Sequence, residues 1–355
     1  MKILKKVGLL ILTILVVIIF FEIVHIILYG SELDEFENSG VKHGRYKVRN
    51  DNLLLAYELI PNYNMTIYES RAGGNIVYTI NSHGFRDYEY SKEKDEEIFR
   101  IIVLGDSVTF GTAVMLEDTY AKKLETILNR NSDSDLKFEV LNFGVEGYST
   151  IQEMEFLRTK AIKFDPDLVI VGFFLNDFSP TIMPLSEKNI WEREKILNEM
   201  LSPKCSLRSK ASHFFKQSVF LEKNFFPYLK KIKYGKNYHK NMFIKPYRDI
   251  CNYGLIDKGF EGIQSTLENE GIQGMVVLFP LEYSELPYKY SDSYNLVDNL
   301  ARKNGFHTLN LHPYFKERNE ELYIMMDDVH INSEGALVAS EATYGKLKEE
   351  KLIPS

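Results

Sequence analysis

Ser107 lies in a Gly105-Asp106-Ser107 turn at the end of the apolar run FRIIVLG, and His330 closes the stretch Met326-Asp327-Asp328-Val329-His330. A serine hydroxyl is a weak nucleophile until a neighbouring base takes its proton. A neutral imidazole, with an ordinary pKa of about 6.5, can accept that proton and return it near neutrality. A carboxylate three residues ahead of the histidine can accept from one ring nitrogen while the other faces the serine. Asp327 has that spacing, and Asp328 competes with it. Nucleophilic attack on a carbonyl also needs donors for the developing oxyanion. The N–H of Ser107 is one, at a tight turn between strand and helix. A second is the N–H of Gly144 in Asn142-Phe143-Gly144, where a missing side chain lets the backbone approach a substrate. The Asn176 amide, in the Asn176-Asp177 pair, is a third. The chemistry expected is acyl transfer through a covalent acyl-serine. Asp106 and Asp177 are expected to brace their turns, and His83, His307 and His312 to be ordinary polar residues.

These residues work together only if the chain brings distant loops to one place. Between residues 100 and 180, FRIIVLG, FEVLNFG and DLVIVGFF alternate with helical patterns starting at Asp118 and at Thr150. Asp118 is an expected N-cap, and Thr150 with Glu153 has capping-box spacing. The alternation resumes with a helix over 256–270, the strand GMVVLFP, a helix over 293–303, the strand HTLNL and a last helix from Ser333. Strand–helix alternation predicts an α/β fold with a parallel sheet. We expect a flavodoxin-like three-layer α/β/α sandwich of five strands in the order 2-1-3-4-5, with ligands beyond the carboxyl ends of the strands. Every candidate residue above stands at such an end or just before the last helix.

The flanking segments read differently. Residues 7–29 are almost uninterruptedly apolar, with Lys2, Lys5 and Lys6 before them and Glu32, Asp34, Glu35 and Glu37 after. Twenty-three helical residues reach about 34 Å, enough for a hydrocarbon core of about 30 Å. The lysine bias predicts the bulk of the chain on the extracytoplasmic side, and the length of the run, with no small-x-small cleavage pattern after it, predicts an uncleaved single-pass anchor over 1–30. Residues 31–97 read as a small β-rich module or stalk, with MTIYES and NIVYTI forming a hairpin around Ala72-Gly73-Gly74. The main domain then spans 98–350, with an insertion over 181–255. Within that insertion, 204–248 hold twelve Lys or Arg, one acid (Glu222) and ten Phe or Tyr. Three roles fit: a lid gripping a polyanion or glycan, a patch against anionic lipid, and a solvated surface. Cys205 and Cys251 both lie in the insertion and, on the extracytoplasmic side, can form a disulfide, with two free thiols as the alternative.

Composition narrows the class. With 45% hydrophobic and 26% charged residues in 355, the chain is a folded globular protein, and its net charge of −7 argues against a nucleic-acid partner. It has no GxSxG elbow, no Walker motif, no GxGxxG after a strand, no HExxH and no CxxC, so no cofactor or metal is implied.

Taken together, GDS at 105–107, NFG at 142–144, LND at 175–177 and DDVH at 327–330 resemble, in order, the four marker blocks of the GDSL or SGNH hydrolases. The resemblance covers about 100–350 apart from the insertion; Val108 stands where the family name has leucine. It implies Ser107 as nucleophile, Asp327 and His330 as its partners, and Ser107, Gly144 and Asn176 as the oxyanion hole. The run NSHGFRDYEY before the first strand also resembles membrane-tethered bacterial members, without implying a role for it. The expected activity is an extracytoplasmic serine esterase removing O-acyl groups, acetyl above all, from an envelope carbohydrate. Acylated small molecules, glycans and lipids are the substrates considered. Acyl transfer, lipid or thioester hydrolysis, and a non-catalytic glycan-binding or assembly role remain open alternatives.

Overall fold

In the computed structural model of the chain, the described residues are 46–69, 73–131, 135–175, 177, 187–201, 250–281, 290–316, 318–324 and 329–354. Two short antiparallel pairs come first: β1 (Lys47–Arg49) with β2 (Tyr57–Leu59), and β3 (Tyr63–Glu69) with β4 (Gly74–Ile80). The second pair is the hairpin expected from the alternation, in a register running from Tyr63 opposite Ile80 to Glu69 opposite Gly74.

Next come β5 (Ile98–Gly105), α1 (Ser107–Phe110), α2 (Tyr120–Asn131), β6 (Lys137–Gly144), α3 (Thr150–Thr159) and β7 (Leu168–Phe173). Further along are α4 (Glu187–Met200), α5 (Ile250–Glu270), β8 (Gln273–Leu278), α6 (Ser291–Lys303), β9 (His307–Asn310), α7 (His312–Phe315) and α8 (Ser333–Glu349). Strands β5 to β9 form one parallel sheet in the order β6-β5-β7-β8-β9, which is the expected 2-1-3-4-5. Helices cover both faces of such a sheet, so the strands carry apolar runs rather than an alternation. All six residues of β7 are buried, as are the last six of β5. On one face Phe143 and Phe173 meet Phe156 of α3 and Phe260 of α5, and glycines 259 and 262 bring α5 onto Thr150 and Met154. On the other, α2 packs with α8, joined by the Tyr120 hydroxyl donating to Thr343 Oγ1 at 2.9 Å.

Two helix starts differ from expectation. Asp118 lies in a 3-10 turn, accepts from Ser333 Oγ at 2.6 Å and leaves the start of α2 to Thr119, whose Oγ1 accepts from the Lys122 N–H. The box at α3 is shifted by one, Ser149 donating its N–H to Gln152 Oε1 at 3.2 Å, because Glu153 is drawn inward. Helix α5 begins at Ile250, six residues before the periodicity suggested.

Residues 42–193 and 252–355 form one compact unit holding all nine described strands. A second unit, 1–41 with 194–251, contributes only 194–201 and 250–251 to the described residues. The apolar N-terminal segment, Cys205 and the basic aromatic stretch 204–248 therefore lie outside them. Among the described residues no helix is long and apolar enough to cross a membrane.

Candidate active site

The first helix sits directly on the ends of three strands. Gly105, Gly144 and Gly172 stand side by side in the register of β5, β6 and β7. A Cβ on Gly105 would meet Thr109 Oγ1 at 2.1 Å, one on Gly172 the same oxygen at 2.5 Å, and one on Gly144 the Phe110 nitrogen at 2.3 Å. These glycines form a floor without side chains on which the single turn of α1 rests. A helix of one turn has no stability of its own, since nucleation fixes several residues for one hydrogen bond. Its geometry must be imposed from outside.

The N-terminal constraint is Asp106, which is fully buried and accepts the Val108 N–H at Oδ1, 2.9 Å away. Ser107 then occupies the first helical position, where an N–H has no intrahelical acceptor. That N–H finds no acceptor among the described residues. The Ser107 hydroxyl lies 2.9 Å from His330 Nε2 and 3.4 Å from Asp106 Oδ2. His330 comes from the far end of the chain, two residues ahead of the Asn332 cap of α8, whose Oδ1 accepts from the N–H groups of Glu334 and Gly335. Its own carbonyl accepts the Ile324 N–H at 2.8 Å. The fold thus brings a hydroxyl and an imidazole 223 residues apart into hydrogen-bond contact.

The other expected members fare differently. Asp327, Asp328 and Asn176 lie outside the described residues. Gly144 is at the expected strand end, but its N–H donates to Asn142 Oδ1 at 3.0 Å and its lack of a side chain answers to the α1 backbone. Gly147, three residues on, has a φ of +79°, a conformation that favours glycine, and is a second candidate for the backbone donor assigned to Gly144. Its signal in the sequence is the second glycine of NFGVEG.

Three carboxyl groups cluster behind the turn. Asp106, Glu153 and Asp177 are all at most 1% exposed. Asp177 Oδ2 accepts the Phe174 N–H at 2.7 Å and braces its turn, as expected. Burial, then the charge of Asp106, pushes the Glu153 carboxyl well above the usual range, and burial with Glu153 and Asp106 does the same to Asp177. Above the unfolded carboxylate pKa of about 4.3 the folded chain therefore binds more protons than the unfolded one, and stability falls as pH rises. Glu153→Gln cannot ionise. In thermal unfolding followed from about pH 5 to about pH 8, the melting point of the variant is expected to gain on that of the wild type as pH rises. A gap that does not change with pH would show that Glu153 does not titrate on unfolding.

The run NSHGFRDYEY is also part of this architecture. Phe85 packs at 4.0 Å from Phe143 of β6, Arg86 reaches the end of α1, and Asp87 Oδ2 accepts the Asn142 N–H at 2.7 Å.

The model of the GDSL-like lipases and acylhydrolases matches residues 101–343. The chain belongs to that family. It is accordingly a GDSL-type hydrolase acting on ester bonds. No curated protein matches it. Among solved structures, the hydrolase is similar to a two-domain esterase active on acetylated mannans, at 13% identity and a TM-score of 0.44, over 73% of this chain and 51% of that one. This chain thus spans about half the length of that esterase. It is also similar to a G-D-S-L lipolytic protein of Desulfitobacterium hafniense, at 13% identity and a TM-score of 0.40 over 70% and 99% of the two chains. An acetyl xylan esterase gives 14% identity and a TM-score of 0.40 over 70% and 98%.

Proposed function

We propose that the hydrolase is a membrane-anchored, extracytoplasmic serine esterase that removes O-acetyl groups from an envelope carbohydrate. The observation that carries the serine mechanism is the 2.9 Å contact between Ser107 Oγ and His330 Nε2 in a chain of this family. His330 takes the hydroxyl proton as Ser107 attacks the ester carbonyl, and returns it to the leaving sugar oxygen. Asp327 holds the imidazole. The oxyanion takes the Ser107 N–H and the Asn176 amide, joined by a backbone N–H of the 144–147 loop. Gly144 fills that place if its N–H exchanges away from Asn142 Oδ1, and Gly147 is the alternative. Water, activated by the same histidine, then releases acetate from the acyl-serine.

The anchor rests on the apolar segment 7–29 and the lysines before it. In a panel of esters of graded chain length, acetate is expected to be released fastest, with acetylated oligosaccharides turned over and long-chain esters refused. Faster release of long-chain acids would make the enzyme a lipid esterase, and transfer of the acyl group to an added sugar would make it an acyltransferase.

A further inference from the structure

We propose that Arg86 is a positioning residue for the nucleophile, holding the one-turn helix that carries Ser107 from its carboxyl end; this rests on Ser107 being the nucleophile. Arg86 is fully buried. Its Nη1 donates to the Phe110 carbonyl at 2.9 Å and also to the Gly111 carbonyl, while Nη2 donates to the Val114 carbonyl at 2.6 Å. All three acceptors are carbonyls at the end of α1 and in the loop that follows. The guanidinium carbon lies 4.3 Å from the centre of the Tyr78 ring and 5.1 Å from that of Phe110, so the plane is held sideways as well. Tyr78 adds its own contact, its hydroxyl oxygen accepting the Ala113 N–H at 2.8 Å.

The last carbonyls of a helix have no intrahelical donor, and a cation placed there also meets the negative end of the helix dipole. In α1 this end is one turn from the nucleophile. The Ser107 carbonyl accepts the N–H groups of Gly111, at 3.0 Å, and Thr112, at 3.1 Å. Fixing the peptide units at 110 and 111 therefore fixes the turn to which Ser107 belongs. Gly111 is confined at the same place: it adopts a φ of +83°, and a Cβ there would meet Thr119 Cγ2 at 2.4 Å and Arg86 Nη1 at 3.0 Å.

The chemistry of the residue argues against mere filling. Burying a guanidinium against neutral carbonyls costs free energy that an apolar side chain of similar size would not. Burial draws the Arg86 pKa down to about 10, which still leaves it charged at neutral pH. What an apolar residue cannot supply is three donor bonds in a fixed fork. Arg86 thereby carries the N-terminal module into the active site through the backbone of α1.

The test compares Arg86→Met, Arg86→Lys and Leu59→Ala in the full-length chain. Leu59 is buried in the same module, on β2, and makes none of the contacts of Arg86 to the α1 carbonyls. Turnover of p-nitrophenyl acetate and the rate of fluorophosphonate labelling are measured at a temperature where circular dichroism shows each variant folded. A displacement of order 1 Å at the nucleophile costs about 100-fold in rate, so Arg86→Met is expected to lose about 10- to 100-fold in kcat and in labelling rate, with KM nearly unchanged. Arg86→Lys, able to meet only part of the carbonyl set, is expected to fall between. Leu59→Ala is expected to melt at a lower temperature with kcat retained. Wild-type kcat and labelling rate in folded Arg86→Met would overturn the proposal, as would an equal loss of kcat in Leu59→Ala. If Arg86→Met does not fold, Arg86→Lys decides between the same outcomes. A wild-type chain that does not label at Ser107 would instead overturn the nucleophile assignment, leaving Arg86 nothing to position.

Discussion

Ser107→Ala is expected to lower kcat by about 10⁶-fold, and His330→Ala by about as much, because the two act as one unit. The 2.9 Å contact between Oγ and Nε2 is the physical basis. Without the hydroxyl no acyl-serine can form; without the imidazole the hydroxyl keeps its proton and is a poor nucleophile. The losses are not additive, so Ser107→Ala/His330→Ala should be scarcely slower than either single variant. Hydrolysis of p-nitrophenyl acetate gives kcat for all three. Labelling with a fluorophosphonate, located by mass spectrometry, identifies the nucleophile: the wild type should carry the adduct on Ser107 and both single variants should label far more slowly. Labelling of Ser107→Ala at the wild-type rate would move the nucleophile elsewhere in the chain.

Gly144→Ala should be the most damaging single methyl in the site. The alanine keeps the backbone N–H, so any loss cannot come from deleting a donor. Its Cβ would lie 2.3 Å from the Phe110 nitrogen and 2.7 Å from the Thr109 carbonyl carbon, both of them backbone atoms of α1 that cannot swing aside as a side chain would. Either the end of β6 or the helix must move. Overpacking of this kind costs about 1–3 kcal/mol, and a shift of about 1 Å at Ser107 would lower kcat by about 100-fold. Thermal unfolding and steady-state kinetics on the same preparation check both. Unchanged values for both would mean that the glycine floor yields more easily than its contacts indicate.

The legible and illegible parts of this protein divide along physical lines. The five-stranded sheet could be read because strands buried on both faces leave long apolar runs, such as DLVIVGFF, and because helices separate them at regular intervals. The Ser107 and His330 pairing followed from placing candidate residues at strand ends, where this topology gathers loops. Helix starts were less legible: Asp118 and Thr150 both looked like caps, but tertiary partners took Asp118 to Ser333 and drew Glu153 into the core. Gly144, expected as a donor, also lies against the α1 backbone at Phe110, a contact that depends on how closely two backbones approach and leaves no trace in composition. Arg86 was invisible for a related reason. An arginine next to an aspartate looks like a surface pair, and only the fold reveals that Asp87 turns to Asn142 and Lys122 while Arg86 turns to α1.

The position of Phe85 decides where this polypeptide can be cut. Its ring lies against Phe143, Phe156 and Phe164, which makes the segment before the sheet a wedge in the main core. Tyr46 and Lys47, still earlier, hold the Glu146 side chain beside the loop after α1, where Thr112 also binds it. A secreted fragment beginning at the first strand of the sheet would lose this wedge and expose a cluster of aromatic rings to water. Any shortened version intended for crystals or assays has to start ahead of Tyr46.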